Sequence, residues 1–105
     1  AQGLVRLGNY LGAHGDARAG RRYLAAGLTT ATTLFAEPYL SGDPKHQGLL
    51  LHSIYHRPNG WDHVPRGRRI PCGESSMWGD YHARELALLI RRMARGEPYY
   101  AFFHL

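Results

Sequence analysis

One stretch of the chain, residues 49–81, gathers side chains that could do chemistry: LLLHSIYHRPNGWDHVPRGRRIPCGESSMWGDY. Tyr55, Trp61, Trp78 and Tyr81 offer flat faces, and His52, His56, His63, Arg57, Arg66, Arg68 and Arg69 place hydrogen-bond donors among them. Sugars bind by stacking their C–H faces on aromatic rings while polar groups meet their hydroxyls, and a uronate adds a carboxylate suited to arginine. Aromatics interleaved with arginine also suit single-stranded nucleic acid. The balance of donors separates the two, because a phosphate track needs mainly Lys and Arg, and the only lysine is Lys45. Packing in a core is the competing account of Trp78.

Three carboxylates lie near this stretch. Asp80 has the type for acid or base work, but an aspartate at a helix start also serves as an N-cap. Glu74 stands beside the loop. Glu85, one turn into a helix, could pair with Arg84 or Arg92 or brace the loop from below. These three and Trp78 read as groups that shape a site. His52 and His56 have the H-x-x-x-H spacing of a metal pair, with His63 and Cys72 downstream. On a helix that spacing puts both imidazoles on one face. Here it falls in an extended stretch with no glutamate after the first histidine, so hydrogen-bonding histidines are the better reading, and no metal is expected.

The elements that position these residues follow from periodicity. Leu4, Leu7 and Leu11 mark the end of an amphipathic helix. The run at 12–15 (GAHG) breaks it, and Asp16 is placed to cap a second helix over residues 17–37. That helix has an apolar stripe of Leu24, Leu28, Ala31 and Phe35, widened by Tyr23, Gly27 and Leu34. Gly20 and Gly27 predict a close helix–helix approach. Thr29, Thr30, Thr32 and Thr33 are poor helix formers, so packing should decide the conformation there. Pro38 should end the helix. A turn is expected at 41–44, then a short extended segment at 49–55, then an aperiodic loop over 56–73, of a length usually functional or disordered. A last helix should start near Asp80, present Leu86, Leu89, Ile90 and Met93 on one side, and stop at Gly96 and Pro98. The aromatics at 99–103 would dock as a tail.

With 105 residues the chain is one domain at most. Its net charge of +5 favours acidic partners without naming one. Arginines cluster at 18–22, 66–69 and 91–95, and the two helical clusters read as solvated faces. A single cysteine, Cys72, excludes an intrachain disulfide and leaves the redox compartment open. No window approaches the roughly 18 consecutive apolar residues of a membrane span. The chain opens on Ala1, already inside a helical pattern, as a trimmed or truncated product would.

Taken in order, GLLLHSIYHRP at 48–58, GESSMWGDY at 73–81 and a Leu-rich helix resemble the C-terminal end of the unsaturated glucuronyl hydrolases, glycoside hydrolase family 88. Tyr39-Leu40 resembles the pair that ends the preceding family helix, and Arg84-Glu85-Leu86 opens the helical run. Two departures stand out. Gly73 replaces an acidic residue, and the loop at 58–71 is longer and more basic than the family's. The resemblance implies an all-α fold, an (α/α)6 barrel of which residues 1–105 would form about the last three helices, with no second domain. It implies vinyl-ether hydration of the 4,5-unsaturated uronic acid at the end of lyase-generated oligosaccharides. An aspartate protonates C4, water adds at C5, and the hemiketal collapses to a keto acid, with no cofactor. The family's two key aspartates lie in earlier helices, so the resemblance assigns this chain no catalytic residue and predicts that it is inactive alone.

Tyr55 and His56 are the substrate contacts the resemblance favours, with Arg57 and Trp61 added from the loop. The expected partner is an unsaturated uronate-containing oligosaccharide held with the rest of the barrel, and neither nucleic acid nor membrane. The implied compartment is bacterial cytoplasm or periplasm. Three helices from a barrel leave apolar faces uncovered, so the isolated chain should self-associate. The competing class is a small basic helical module that binds nucleic acid or a protein partner.

Overall fold

The computed structural model describes residues 1–98; the expected aromatic tail at 99–103 lies outside them. Three α-helices carry the fold: α1 (Gln2–Ala13), α2 (Ala17–Leu34) and α3 (Met77–Ala94), with a 3-10 turn at Arg57–Asn59 between α2 and α3. Among the described residues there is no strand, only an isolated antiparallel bridge between Leu40 and Leu50. The all-α expectation holds.

α1 and α2 form an antiparallel hairpin whose seam is built from small residues. Gly8, Gly20, Gly27 and Ala31 are buried on it together with Val5. A Cβ on Gly8 would come within 2.8 Å of the Gly20 carbonyl oxygen, and one on Gly27 within 2.9 Å of the Val5 amide nitrogen. Only hydrogen fits there, which explains the approach that Gly20 and Gly27 predict. It also corrects the stripe expected on α1. Val5 and Gly8 face inward, Leu4 and Leu11 are half-buried and Leu7 is exposed, because so close a seam admits only the small side of the helix.

The helix ends follow local chemistry. α1 closes on Gly15 in the left-handed region at φ +95°, with the Asp16 amide donating to the Leu11 carbonyl at 2.9 Å. Asp16 then caps α2 as expected, its carboxylate accepting from the Ala19 amide at 2.9 Å. α2 stops at Leu34, three residues short of the expected 37. Pro38 disfavours helix in the residue before it, and the Ala36 carbonyl instead accepts from the Tyr39 and Leu40 amides in a turn. Tyr39-Leu40 therefore lies past the helix. The threonines are exposed, and Thr30, Thr32 and Thr33 return their hydroxyls to carbonyls four residues back. Local bonds satisfy the hydroxyls, while Gly20, Gly27 and Ala31 are buried on the other face of the helix.

α3 begins at Met77, three residues before Asp80. Ser76 is the N-cap, its hydroxyl accepting from the Gly79 amide at 3.2 Å, so the capping role considered for Asp80 belongs to Ser76. Leu86 and Leu89 are buried and Ile90 and Met93 half-buried, as the period predicts. The far end closes with Gly96 at φ +65°, the Glu97 amide donating to the Arg92 carbonyl and the Gly96 amide to that of Met93. α3 lies parallel to α1 through polar contacts. Gln2 Nε2 donates to Glu85 Oε2 at 3.1 Å and to the His82 carbonyl at 3.2 Å, and Asn9 Nδ2 donates to Met93 Sδ at 3.4 Å.

Burial is thin. Among the described residues the buried apolar side chains are Val5, Ala31, Pro71, Ala83, Leu86 and Leu89, and Val5 alone of the larger ones is fully enclosed. Two open apolar depressions remain. One lies between Leu34, Leu50, Ala83 and Leu86 and the other between Leu28, Phe35 and Ile90.

Candidate functional site

The segment expected to run extended over 49–55 forms no strand beyond the Leu50 bridge and is broken at His52, whose φ is positive. It is instead pinned amide by amide. Asp80, in the first turn of α3, accepts from the Leu49 amide at 2.8 Å through Oδ2 and from the Leu50 amide at 2.9 Å through Oδ1. The Leu51 amide donates to the Tyr39 carbonyl at 2.7 Å and the Ser53 amide to the Glu74 carbonyl at 3.0 Å. At the far end Asp62 accepts from the Tyr55 amide through Oδ1 and from the His56 amide at 2.9 Å through Oδ2. A carboxylate with two oxygens is well matched to two successive N–H groups, and an ionised acceptor strengthens both bonds.

His52 marks the bend in this segment. Its φ is +65°, unusual for a residue with a Cβ, and its Nδ1 accepts from the Gly73 amide at 3.1 Å. The bond draws the segment at 49–56 and the turn leading into α3 together. Further toward α2, the turn expected at 41–44 sits at 43–46. There the Asp43 carboxylate accepts from the Lys45 amide and the Asp43 carbonyl from the His46 amide. His46 Nε2 then meets Ser75 Oγ at 3.0 Å, and a Cβ on Gly48 would collide with Ser75.

This scaffold presents an aromatic face. Tyr55 lies 4.8 Å from Trp78 and 5.7 Å from Trp61, centroid to centroid, and His56 lies 5.2 Å from Trp61. All three aromatics are open to solvent, Tyr55 at 55%, Trp61 at 62% and Trp78 at 46%. Trp78 is therefore no core residue. Tyr55, His56, Trp61 and Trp78, singled out in the sequence, come together. Arg57 opens the 3-10 turn between them, and Arg66, Arg68 and Arg69 are exposed further along the loop.

The remaining candidates take other places. Glu74 contributes its main-chain carbonyl to Ser53 while its side chain is exposed. Glu85 does not pair with Arg84 or Arg92; its carboxylate accepts from His82 Nδ1 at 2.8 Å and from Gln2. A histidine three residues before it on the same helix face is nearer than either arginine's direction allows. Those bonds, that from His82 first and from Gln2 second, hold the Glu85 carboxyl below its ordinary value of 4.5. Glu85 thus fastens α1 to α3 and does not brace the loop.

Sequence reasoning missed Asp62, Ser76 and the His46–Ser75 contact. An aspartate that bonds amides six and seven positions back leaves no periodic trace. Ser76 was legible in principle, as a serine three positions ahead of the Gly79 amide at a helix start. Among the described residues no three His, Cys, Asp or Glu side chains converge on a point that could hold a metal ion. The arrangement offers flat faces, ring donors and nearby guanidinium groups, while the Asp62 and Asp80 oxygens are engaged by the main chain. That is equipment for binding. Comparison with family models, with curated proteins and with solved structures gives no match.

Proposed function

We propose that this chain is the C-terminal part of an unsaturated glucuronyl hydrolase and lines the substrate side of its barrel. One observation carries the reading. The two segments that resemble that family, 48–58 and 73–81, contribute Tyr55 and Trp78, which stand 4.8 Å apart on an exposed aromatic face with His56 and Trp61. In this reading the face stacks against the sugar rings of a lyase-generated oligosaccharide. Tyr55 and Arg57 meet the uronate, whose planar carboxylate accepts from the phenol and suits a guanidinium fork, and His56 and Trp61 meet hydroxyls. Trp78, Asp80 and the Glu74 main chain hold the face in shape. Protonation of C4 and addition of water at C5 fall to aspartates supplied by preceding helices, and no cofactor is required. The open apolar depressions on the hairpin and on α3 are where those helices would pack.

The test is to express the reading frame that contains this chain with whatever precedes Ala1 and to supply an unsaturated uronyl disaccharide. Loss of the double bond's ultraviolet absorbance is the expected result. An intact, folded parent that leaves the double bond untouched, or that binds single-stranded nucleic acid through the same face, contradicts the reading.

A further inference from the structure

The aromatic face is made by a loop of ordinary exposure, yet its rings hold defined distances, and one carboxylate explains how. Between Tyr55 and Asp62 the chain doubles back. The Asn59 amide donates to the His56 carbonyl at 3.0 Å and the Gly60 amide to the Arg57 carbonyl at 3.1 Å, and Gly60 at φ +64° completes the reversal. The reversal returns Trp61 over His56, at 5.2 Å, and brings Asp62 beneath the amides of Tyr55 and His56. Residues 61 and 62 therefore act together, one supplying a ring and the next holding the two residues that ring faces. Asp62 is half-buried while Tyr55, His56 and Trp61 are exposed.

We infer that Asp62 is a positioning residue, whose carboxylate sets the Tyr55 and His56 rings against Trp61 and so shapes the binding face. For what the face binds, the inference rests on the reading above; for how the face is held, it rests on geometry alone. The chemistry requires both oxygens. An asparagine at 62 keeps the volume but turns an amide N–H₂ toward one of the two backbone donors, donor against donor, and loses the ionised acceptor at the other.

The experiment uses the chain itself. Its two tryptophans, Trp61 and Trp78, both belong to the face, so the tryptophan bands of the near-ultraviolet circular dichroism, and tryptophan emission, report on this face. In the wild-type chain the Tyr55 and His56 amides should exchange with deuterium roughly tenfold or more slowly than that of His63, an exposed neighbour on the same loop. Asp62→Asn should abolish that protection and flatten the tryptophan dichroism, with helical content unchanged, and Asp62→Glu should restore part of both. Open-chain exchange at Tyr55 and His56 in the wild type overturns the inference, as does an Asp62→Asn spectrum identical to wild type. Should Asp62→Asn lose its helices, the wild-type exchange rates decide. The parent polypeptide, offered an unsaturated uronyl disaccharide, separates the two proposals. A folded parent that leaves the double bond untouched, alongside a dichroism of this chain that responds to Asp62→Asn, sinks the sugar reading and leaves the positioning role standing.

Discussion

Asp80 accepts the Leu49 amide at 2.8 Å across a sequence separation of 31 residues, with its second oxygen on Leu50. The last helix, packed through Ala83, Leu86 and Leu89, is thereby tied to the start of the segment bearing Tyr55 and His56. Asp62 repeats the device at the other end of that segment, so two carboxylates hold it and the aromatic face is displayed beyond.

Replacing Asp80 tests this tie. Asp80→Asn leaves one good acceptor for two donors, and hydrogen bonds to a charged group contribute about 1.5–3 kcal/mol each. The Leu49 and Leu50 amides should lose roughly tenfold or more of their exchange protection, while α1 and α2 amides are unaffected. Unchanged protection at both amides would show that the Asp80 carboxylate does not hold them.

The hairpin seam makes a contrast between glycines on one helix. Gly8→Ala drives a Cβ to 2.8 Å from the Gly20 carbonyl oxygen and should destabilise the α1–α2 hairpin by about 1–3 kcal/mol or more, since backbone cannot move aside as a side chain can. Gly12→Ala meets nothing within 4 Å and should be neutral or stabilising by up to about 1 kcal/mol through helix propensity. Amide exchange along α1 and α2 ranks the two. A Gly8→Ala variant as stable as Gly12→Ala would refute the close seam.

Much of this was legible in the sequence, and the pattern of what was not is physical. Asp16 as a cap, Gly96 as a stop and the Leu86–Leu89–Ile90–Met93 side of α3 depend on neighbours within one or two helical turns, so they leave a local signature. Val5 and Gly8 displaced Leu7 from the seam because the depth of a helix contact is set by the partner, here Gly20 and Gly27. Asp80 and Asp62 took roles no local rule predicts, since their partners are main-chain groups that could belong to any residue. The aromatic residues of the site were visible by type. That Tyr55, Trp61 and Trp78 would converge, and by what means, was not.

Acid should loosen α1 from α3. A carboxyl whose folded value is depressed stabilises the folded arrangement above its unfolded value, and that contribution is lost as pH falls through the folded one. For Glu85 the contribution is present above 4.5 and disappears below it, as the carboxyl releases His82 and Gln2. The Gln2 side-chain amide resonances should shift over that acidic range in the wild type and stay flat in Glu85→Gln. A titration of Gln2 that survives Glu85→Gln would assign the effect elsewhere.

Thin burial and open apolar depressions predict the solution behaviour of the isolated chain. Leu28 and Leu88 are exposed on α2 and α3, and exposed apolar patches drive association. The chain should bind a hydrophobic dye, self-associate with concentration and melt broadly. A clean monomer with a sharp two-state transition would count against its being part of a larger barrel.

The most direct measurement of the central claim is the rate at which the parent polypeptide removes the double bond of an unsaturated uronyl disaccharide, wild type against Tyr55→Phe. The substitution keeps the ring beside Trp78 and removes one hydroxyl. Arg91→Ala, on the exposed side of α3, serves as the control. If Tyr55 contacts the uronate, kcat/KM should fall roughly tenfold or more in Tyr55→Phe and hardly at all in Arg91→Ala, as expected for losing one hydrogen bond to a charged group. A Tyr55→Phe parent that is folded and as active as wild type, or a folded wild-type parent with no activity on the disaccharide, contradicts the account.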